Sequence, residues 1–217
     1  MKAAVVLAGC GVFDGAEIQE AVMTLYAIDK AGGTYQIFAP NVKQHHVINH
    51  ITGEPMSESR NVLTEAARIA RGRIKALTEY KVADFDALIF PGGFGVAKNL
   101  CTYAFDGTDC SVDRVVEAAI RDTHRAGKPI GALCISPVLI TRVLGDVTVT
   151  IGNDSQTVAD ITTMGGRHET KRHGEVSIDS KNRIVTAPCY MLDSTVSDVA
   201  HDAEEVIKAI NEMVKKK

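Results

Sequence analysis

Four short apolar runs, each stopped by Gly, Pro or Cys, constrain this chain most. Lys2 to Ala8 stops at Gly9-Cys10-Gly11, Tyr35 to Ala39 at Pro40, Asp86 to Phe90 at Pro91-Gly92-Gly93, and Ile130 to Leu133 at Cys134. Runs of this length bounded by turn residues read as strands buried on both faces. Helical patterns lie between them. From Ala16 to Lys30, apolar residues fall at Ile18, Ala21, Val22, Leu25 and Ile28, and Ala31-Gly32-Gly33 closes the stripe. Ser57 is a candidate N-cap for a helix reaching Arg71, and a short helix covers Val96 to Leu100. Ser111 or Asp113 opens another helix, which ends at Ala126-Gly127-Lys128-Pro129. Pro137 suits the first turn of a helix running to Leu144. Strand and helix in alternation predict an α/β sandwich with a mainly parallel sheet.

The last third is less regular. Val147 to Ile151 reads as a strand and Thr157 to Met164 as a short helix. Glu175 to Ile178 and Arg183 to Thr186 flank a hairpin signal, Asp179-Ser180-Lys181-Asn182. Asp202 to Lys217 reads as a closing amphipathic helix whose terminal lysines suit its negative dipole end. Asn41 to Pro55, with His45, His46 and His50, reads as a polar loop or irregular hairpin, and Cys101 to Cys110 as a loop insertion. No internal repeat or linker interrupts the pattern, so residues 1–217 are expected to form one domain.

Composition narrows the function classes. The net charge of −3 argues against a nucleic-acid partner. Apolar runs fall far short of 18 residues, which argues against a membrane span. Five cysteines are an odd number without C-x-x-C spacing, so zinc ribbons and thioredoxin motifs are not expected. With no basic n-region before the first strand, the expected compartment is reducing cytosol, with free thiols. The three loop histidines lack a carboxylate or cysteine at metal-ligand spacing, so no metal is expected.

In open α/β sheets ligands gather beyond the carboxyl ends of the strands. After the first run, Gly9-Cys10-Gly11-Val12-Phe13-Asp14-Gly15 loosely matches a dinucleotide fingerprint. The second run ends in Ala39-Pro40-Asn41, without the acid such a site needs for a ribose, so a nucleotide cofactor is not expected. Pro91-Gly92-Gly93-Phe94-Gly95 is either a turn needing positive φ or a source of exposed N–H groups for an oxyanion. Ala132-Leu133-Cys134-Ile135-Ser136-Pro137 places a cysteine between small neighbours at a strand-to-helix turn, as in a nucleophile elbow. The positive N-terminus of the next helix is expected to lower the thiol pKa. A buried, inert cysteine is the competing reading.

The sequence resembles the ThiJ/PfpI superfamily, relatives of class I glutamine amidotransferases, and within it the ElbB, sigma cross-reacting protein-like glyoxalase branch. The residues that carry the resemblance span nearly the whole chain. They are Gly9 to Gly15 with Glu17-Ile18-Gln19-Glu20-Ala21; Val47-Ile48-Asn49-His50 with Thr52-Gly53-Glu54; Ser59-Arg60-Asn61-Val62; Pro91 to Gly95 with Ala97-Lys98-Asn99-Leu100; and the cysteine elbow. Their joint occurrence in order is specific to the branch, whereas any one alone is weak. The resemblance implies a flavodoxin-like three-layer fold, Cys134 as nucleophile, Gly92 and Gly93 amides as oxyanion donors, and Ile135 beside them. It also implies a glutamate from the first long helix on the thiol. Glu20 is the expected residue, ahead of Glu17 one turn earlier. Cys10, which ends the first strand, either packs under the site or acts at its rim as a resolving thiol, with packing the favoured reading. For His168 a strand-edge position is favoured over the rim, and Asn99 is a further candidate for the rim.

Two departures matter. Ile135 stands where protease-like members carry a histidine after the cysteine. His168-Glu169 are adjacent, where amidotransferases use His-x-Glu. Neither a Cys-His hydrolase nor a strict glutaminase triad is supported. The expected activity is a cofactor-independent conversion of small 2-oxoaldehydes to hydroxy acids, because a covalent thiol replaces metal and glutathione. The alternatives are a thiol redox sensor and a partner-binding subunit. By analogy with the superfamily the expected assembly is a homodimer, and a link to isoprenoid biosynthesis is equally an analogy.

Overall fold

The computed structural model describes residues 1–216; Lys217, the expected last residue of the closing helix, lies outside them. In chain order the elements are β1 (Lys2–Val6), α1 (Ile18–Lys30), β2 (Thr34–Ala39), α2 (Val62–Ile69), β3 (Ile74–Ala76), β4 (Ala87–Phe90), α3 (Tyr103–Asp106) and α4 (Arg114–Arg125). There follow β5 (Ile130–Leu133), α5 (Ser136–Leu144), β6 (Thr148–Val149), α6 (Ser155–Thr163), β7 (Arg167–His168), β8 (Ser177–Asp179), β9 (Ile184–Ala187) and α7 (Val196–Lys215). Seven strands form one sheet in the order β3-β2-β1-β4-β5-β9-β8. Every neighbouring pair is parallel except β8 and β9, which make the expected antiparallel hairpin.

The alternating pleat of β1 explains the layers. Ala3, Val5 and Leu7 face one core, shared with α1, α2 and α7 through Leu25, Ile28, Ala66, Val206 and Ile210. Ala4, Val6 and Ala8 face a second core, shared with α4, α5 and α6 through Ile120, Leu139 and Ile161. A strand apolar on both faces can only be covered by helices on both sides. The result is the flavodoxin-like three-layer α/β sandwich. The chain leaves β1 toward β2 and β3, then returns to β4 on the other side of β1. That reversal opens a crevice at the carboxyl ends of β1 and β4.

Some boundaries differ from expectation. Helix α2 starts at Val62, capped by Asn61, and not near Ser57. Residues before it are held extended instead: the Gln44 N–H donates to the Arg60 carbonyl at 2.8 Å, and Lys43 bridges Asn61. Of Ser111 and Asp113, Asp113 is the cap of α4. Helix α7 begins at Val196, well before Asp202, because Thr195 and Asp198 form a reciprocal capping box. The expected strand from Val147 to Ile151 shrinks to β6, paired in parallel with β7 in a separate small sheet.

Candidate active site

Cys134 sits at the turn from β5 into α5 with φ +59. An L-residue adopts that left-handed conformation at a cost, and the surroundings hold it there. Its N–H donates to the Ala187 carbonyl of β9 at 3.0 Å. The Ser136 hydroxyl donates to the Pro91 carbonyl at 2.8 Å, tying the elbow to the loop after β4. Two further N–H groups, from Gly93 and Ile135, point at the sulfur.

Glu20 lies in the first turn of α1 and is fully buried. Its carboxyl accepts from the Gly92 N–H at 2.9 Å and from the Tyr190 N–H at 3.2 Å, and it hydrogen-bonds Cys134. Burial, then the nearby Glu17 carboxylate, pushes Glu20 up to about 8, against an ordinary 4.5. At neutral pH it therefore holds a proton. Burial and the Glu20 carboxyl together push the Cys134 thiol well above its usual range. This overturns the expectation that the helix N-terminus lowers the thiol pKa. Desolvation of a fully enclosed sulfur outweighs the dipole of a short helix. The site is a neutral thiol and a carboxylic acid that share protons.

Glu17 takes a different role from Glu20. It is the N-cap of α1, where its carboxylate accepts from the Glu20 N–H at 2.6 Å and its own N–H donates to the Gly92 carbonyl at 2.9 Å. It thus orients the first turn that carries Glu20 and also lines the cavity.

Gly92 has no room for a side chain: a Cβ there would lie 2.4 Å from the Cys134 Cβ and 2.6 Å from a Glu20 oxygen. Gly93 has φ +102, and a Cβ would meet the Glu17 nitrogen at 2.3 Å. These glycines let the loop after β4 lie directly on α1 and the elbow. The expected oxyanion role of Gly92 requires correction, because its N–H is already taken by Glu20. Gly93 and Ile135 carry the N–H groups that face the sulfur.

Above Cys134 opens a cavity of about 370 Å³. Its walls include Val12, Phe94, Ala97, Ile135 and Met191, with Glu17, Tyr103, Asp154, Thr157 and Tyr190 as polar members. A larger groove of about 660 Å³ runs along β2 between α1 and α2, and Cys134 is not in its walls. The smaller cavity has Cys134 in its wall, with the buried Glu20 carboxyl behind that sulfur, and is therefore the candidate site.

None of the three rim candidates lines this cavity, in keeping with the favoured packing reading of Cys10 and strand-edge reading of His168. Asn99 is a clamp: its amide donates to the Ala8 carbonyl at 3.0 Å and the Asp14 carbonyl at 2.9 Å, and its oxygen accepts from the His45 N–H at 2.9 Å. Cys10 faces Glu65, Arg68 and Asp14, where burial raises its thiol pKa. His168 accepts from the Ile151 N–H at 3.2 Å and so props the segment leading to Asp154. The loop histidines are divided. His50 packs on Phe13 and its Nε2 accepts from the Phe13 N–H at 3.2 Å; His45 and His46 pack on Phe105. Among the described residues no group of three or more His, Cys, Asp or Glu is arranged to hold a metal.

The position of Ala187 to Met191 after the last strand makes that loop a candidate pocket wall, and Tyr190 and Met191 do line the cavity; what sequence reasoning missed is the support beneath it. Cys189, in the turn after β9, is fully buried, and its N–H donates to Asp202 of α7 at 3.1 Å. Asp202 also accepts from the Gly174 N–H at 2.6 Å and pairs with His173 at 2.9 Å. This network fixes the 189–191 turn, which supplies the Tyr190 N–H to Glu20. An acidic residue amid the apolar positions of α7, as Asp202 is, was the available signal.

No family model matches the chain. It is 44% identical over 225 residues to the Homo sapiens protein named glutamine amidotransferase-like class 1 domain-containing protein 3, mitochondrial, covering 99% of this chain and 84% of that one. Relatives from Rattus norvegicus and Danio rerio are named ES1 proteins and are also mitochondrial. These names overturn the expectation of a cytosolic protein, which rested only on free thiols and the character of the first residues. Among solved structures, an Ehrlichia chaffeensis isoprenoid biosynthesis protein with an amidotransferase-like domain is 37% identical, with TM-score 0.93 over 98% of this chain and 99% of that one. A Candida albicans protein described as glyoxalase III shares the fold at 15% identity, with TM-score 0.61 over 96% and 97%. By its long match to these relatives, the chain belongs to the glutamine amidotransferase-like class 1 and ES1 family.

Proposed function

We propose that this protein is a cofactor-independent glyoxalase-type enzyme that converts small 2-oxoaldehydes, such as glyoxal and methylglyoxal, to 2-hydroxy acids. The observation that carries the reading is the fully buried Glu20 carboxyl on the Cys134 thiol, itself in the wall of a cavity sized for a small molecule. A protonated acid beside a protonated thiol suits carbonyl addition without a standing charge. The sulfur adds to the aldehyde carbon while its proton passes through Glu20 to the carbonyl oxygen, giving a hemithioacetal. The Gly93 and Ile135 N–H groups face the sulfur and steady the oxygen formed next to it.

Glu20, once it has released its own proton to water, removes the proton from the former aldehyde carbon and returns it to the neighbouring carbon, while the hydroxyl proton passes from the first oxygen to the second. The first carbon is oxidised to a thioester and the second reduced to an alcohol, so no external electron carrier is required. Water then cleaves the thioester, releases the hydroxy acid and restores the thiol. The largely apolar walls favour short, uncharged carbonyl compounds over charged metabolites.

The test is acid formation from glyoxal and from methylglyoxal, followed by proton NMR, for wild type and Cys134→Ser. Wild type is expected to make glycolate and lactate, and the variant to lose at least about a hundredfold. Full activity in Cys134→Ser removes the proposal. Absence of acid with wild type, together with two oxygens added to Cys134, replaces it with the redox-sensor reading.

A further inference from the structure

A second pair of thiols lies outside this chemistry. Cys101 follows the π-helical turn Val96–Leu100, and Cys110 ends the insertion that contains α3. The two ends of the insertion are pinned together. Cys101 bridges Val112 antiparallel, the Thr102 N–H donates to the Ser111 carbonyl at 2.9 Å, and the Ser111 N–H returns to the Thr102 hydroxyl at 3.0 Å. In that register the Cys101 and Cys110 side chains fall on one face, and each thiol shifts the titration of the other; the Cys101 thiol also donates to the Val96 carbonyl at 3.3 Å.

The pair is chemically asymmetric. Arg142 of α5 donates from Nε to the Cys110 carbonyl at 2.6 Å, and its guanidinium also faces the Cys110 thiol. The Cys101 thiol, then Arg142, draws Cys110 down to about 7, while Cys101 itself is raised. The other cysteines, Cys10, Cys134 and Cys189, are all shifted upward. A thiolate with a protonated thiol beside it is the arrangement that two-electron thiol oxidation needs. Both cysteines are buried while Ala104–Asp106 between them are exposed, so a small oxidant reaches the sulfurs more readily than a bulky one.

We propose that Cys101 and Cys110 form a second redox site, a dithiol that reduces small peroxides and closes to a disulfide across the insertion that walls the cavity. The Cys110 thiolate attacks one peroxide oxygen. An S–O bond forms, the O–O bond breaks, and the departing hydroxide takes a proton to become water. The Cys101 thiol then attacks the sulfenic sulfur; the S–S bond forms, the S–O bond breaks, and a second water leaves with the Cys101 proton. Two thiols lose two electrons and two protons, and one hydrogen peroxide becomes two waters. The ring so closed contains Tyr103 and Ala104 of the cavity wall, and Tyr103 donates to Asp160 of α6 at 2.6 Å. The bond therefore braces one side of the cavity, and the reaction needs neither Cys134 nor Glu20.

The test treats the reduced full-length protein with equimolar hydrogen peroxide, then blocks remaining thiols and maps peptides without reductant. One tryptic peptide, residues 99–114, holds both cysteines. It is expected to lose two hydrogens, and its halves to stay joined after cleavage at Asp106 and Asp109. Cys134→Ser is expected to behave identically, Cys110→Ser to lose the bond, and oxidised glutathione to react at least tenfold more slowly than peroxide. Limited proteolysis within 104–109 should slow on oxidation and recover with reductant. If residues 99–114 keep two free thiols in wild type while another cysteine is oxidised, the proposal fails, whether or not any variant folds. If the bond forms only when Cys134 is present, the independence of the site fails.

Discussion

Replacing Glu20 by Gln should make the pH dependence of stability cross that of wild type. In the folded protein the carboxyl titrates near 8, against 4.5 when free. The raised value means that the folded state holds the proton longer than the unfolded chain does. Its contribution to stability is complete below pH 4.5 and is lost as pH rises through about 8. At about 1.4 kcal/mol per pH unit the loss across that window is about 5 kcal/mol. Gln does not titrate, so the variant escapes this loss. It incurs another: Glu20 accepts from both the Gly92 and Tyr190 N–H groups, and an amide offers only one oxygen. One buried N–H then lacks a partner, at about 1–3 kcal/mol. Wild type should be the more stable below about pH 5 and the variant the more stable above about pH 7. Urea unfolding midpoints from pH 4.5 to 8.5 measure the difference, and other titrating groups cancel between the two proteins. Parallel curves would refute the reasoning, because they would mean that Glu20 does not carry the shifted proton.

Other expected outcomes follow from contacts elsewhere. Gly92→Ala places a Cβ 2.4 Å from that of Cys134; overpacking of about 1–3 kcal/mol should lower the urea midpoint, and displacement of Glu20 should reduce acid formation at least tenfold. Asp202→Ala removes the acceptor of Cys189, Gly174 and His173 at a fully buried position; a loss of about 3–5 kcal/mol should appear as a large fall in melting temperature. Thr195→Ala breaks the capping box of α7; it should cost about 1 kcal/mol by chemical denaturation and leave the acid-forming rate unchanged.

The parts legible in the sequence were those fixed by local pattern. The strands from Lys2, Tyr35, Asp86 and Ile130 declared themselves because a two-faced core needs unbroken apolar runs. Strand β3 escaped because three residues with Lys75 in the middle carry no periodicity; it exists because β2 offers a paired edge at Ile37 to Ala39. The start of α7 escaped because Ser197, Asp198, His201 and Asp202 dilute the apolar stripe, although Thr195 and Asp198 spelled a cap. Cys134 was legible from its elbow, and Glu20 from the resemblance. Burial was not legible, and it decides the chemistry: the sequence suggests a helix dipole on the thiol, whereas the fold encloses the sulfur and raises its pKa. Cys10 and His168 show the same limit. Each follows or occupies a strand, yet the direction of its side chain, set by packing, takes it elsewhere.

The central claim is that Cys134 forms the covalent bond and Glu20 moves the proton between carbons. Acid-quenched mass analysis of the protein during turnover with glyoxal tests it most directly. Wild type should carry little adduct while glycolate accumulates. Glu20→Gln should carry one glyoxal equivalent on Cys134 and form glycolate about a hundredfold or more slowly, because addition can exchange its proton with water whereas the carbon-to-carbon transfer needs the carboxylate. Glycolate formed by Glu20→Gln at the wild-type rate, or an adduct that maps to any residue other than Cys134, would contradict the account.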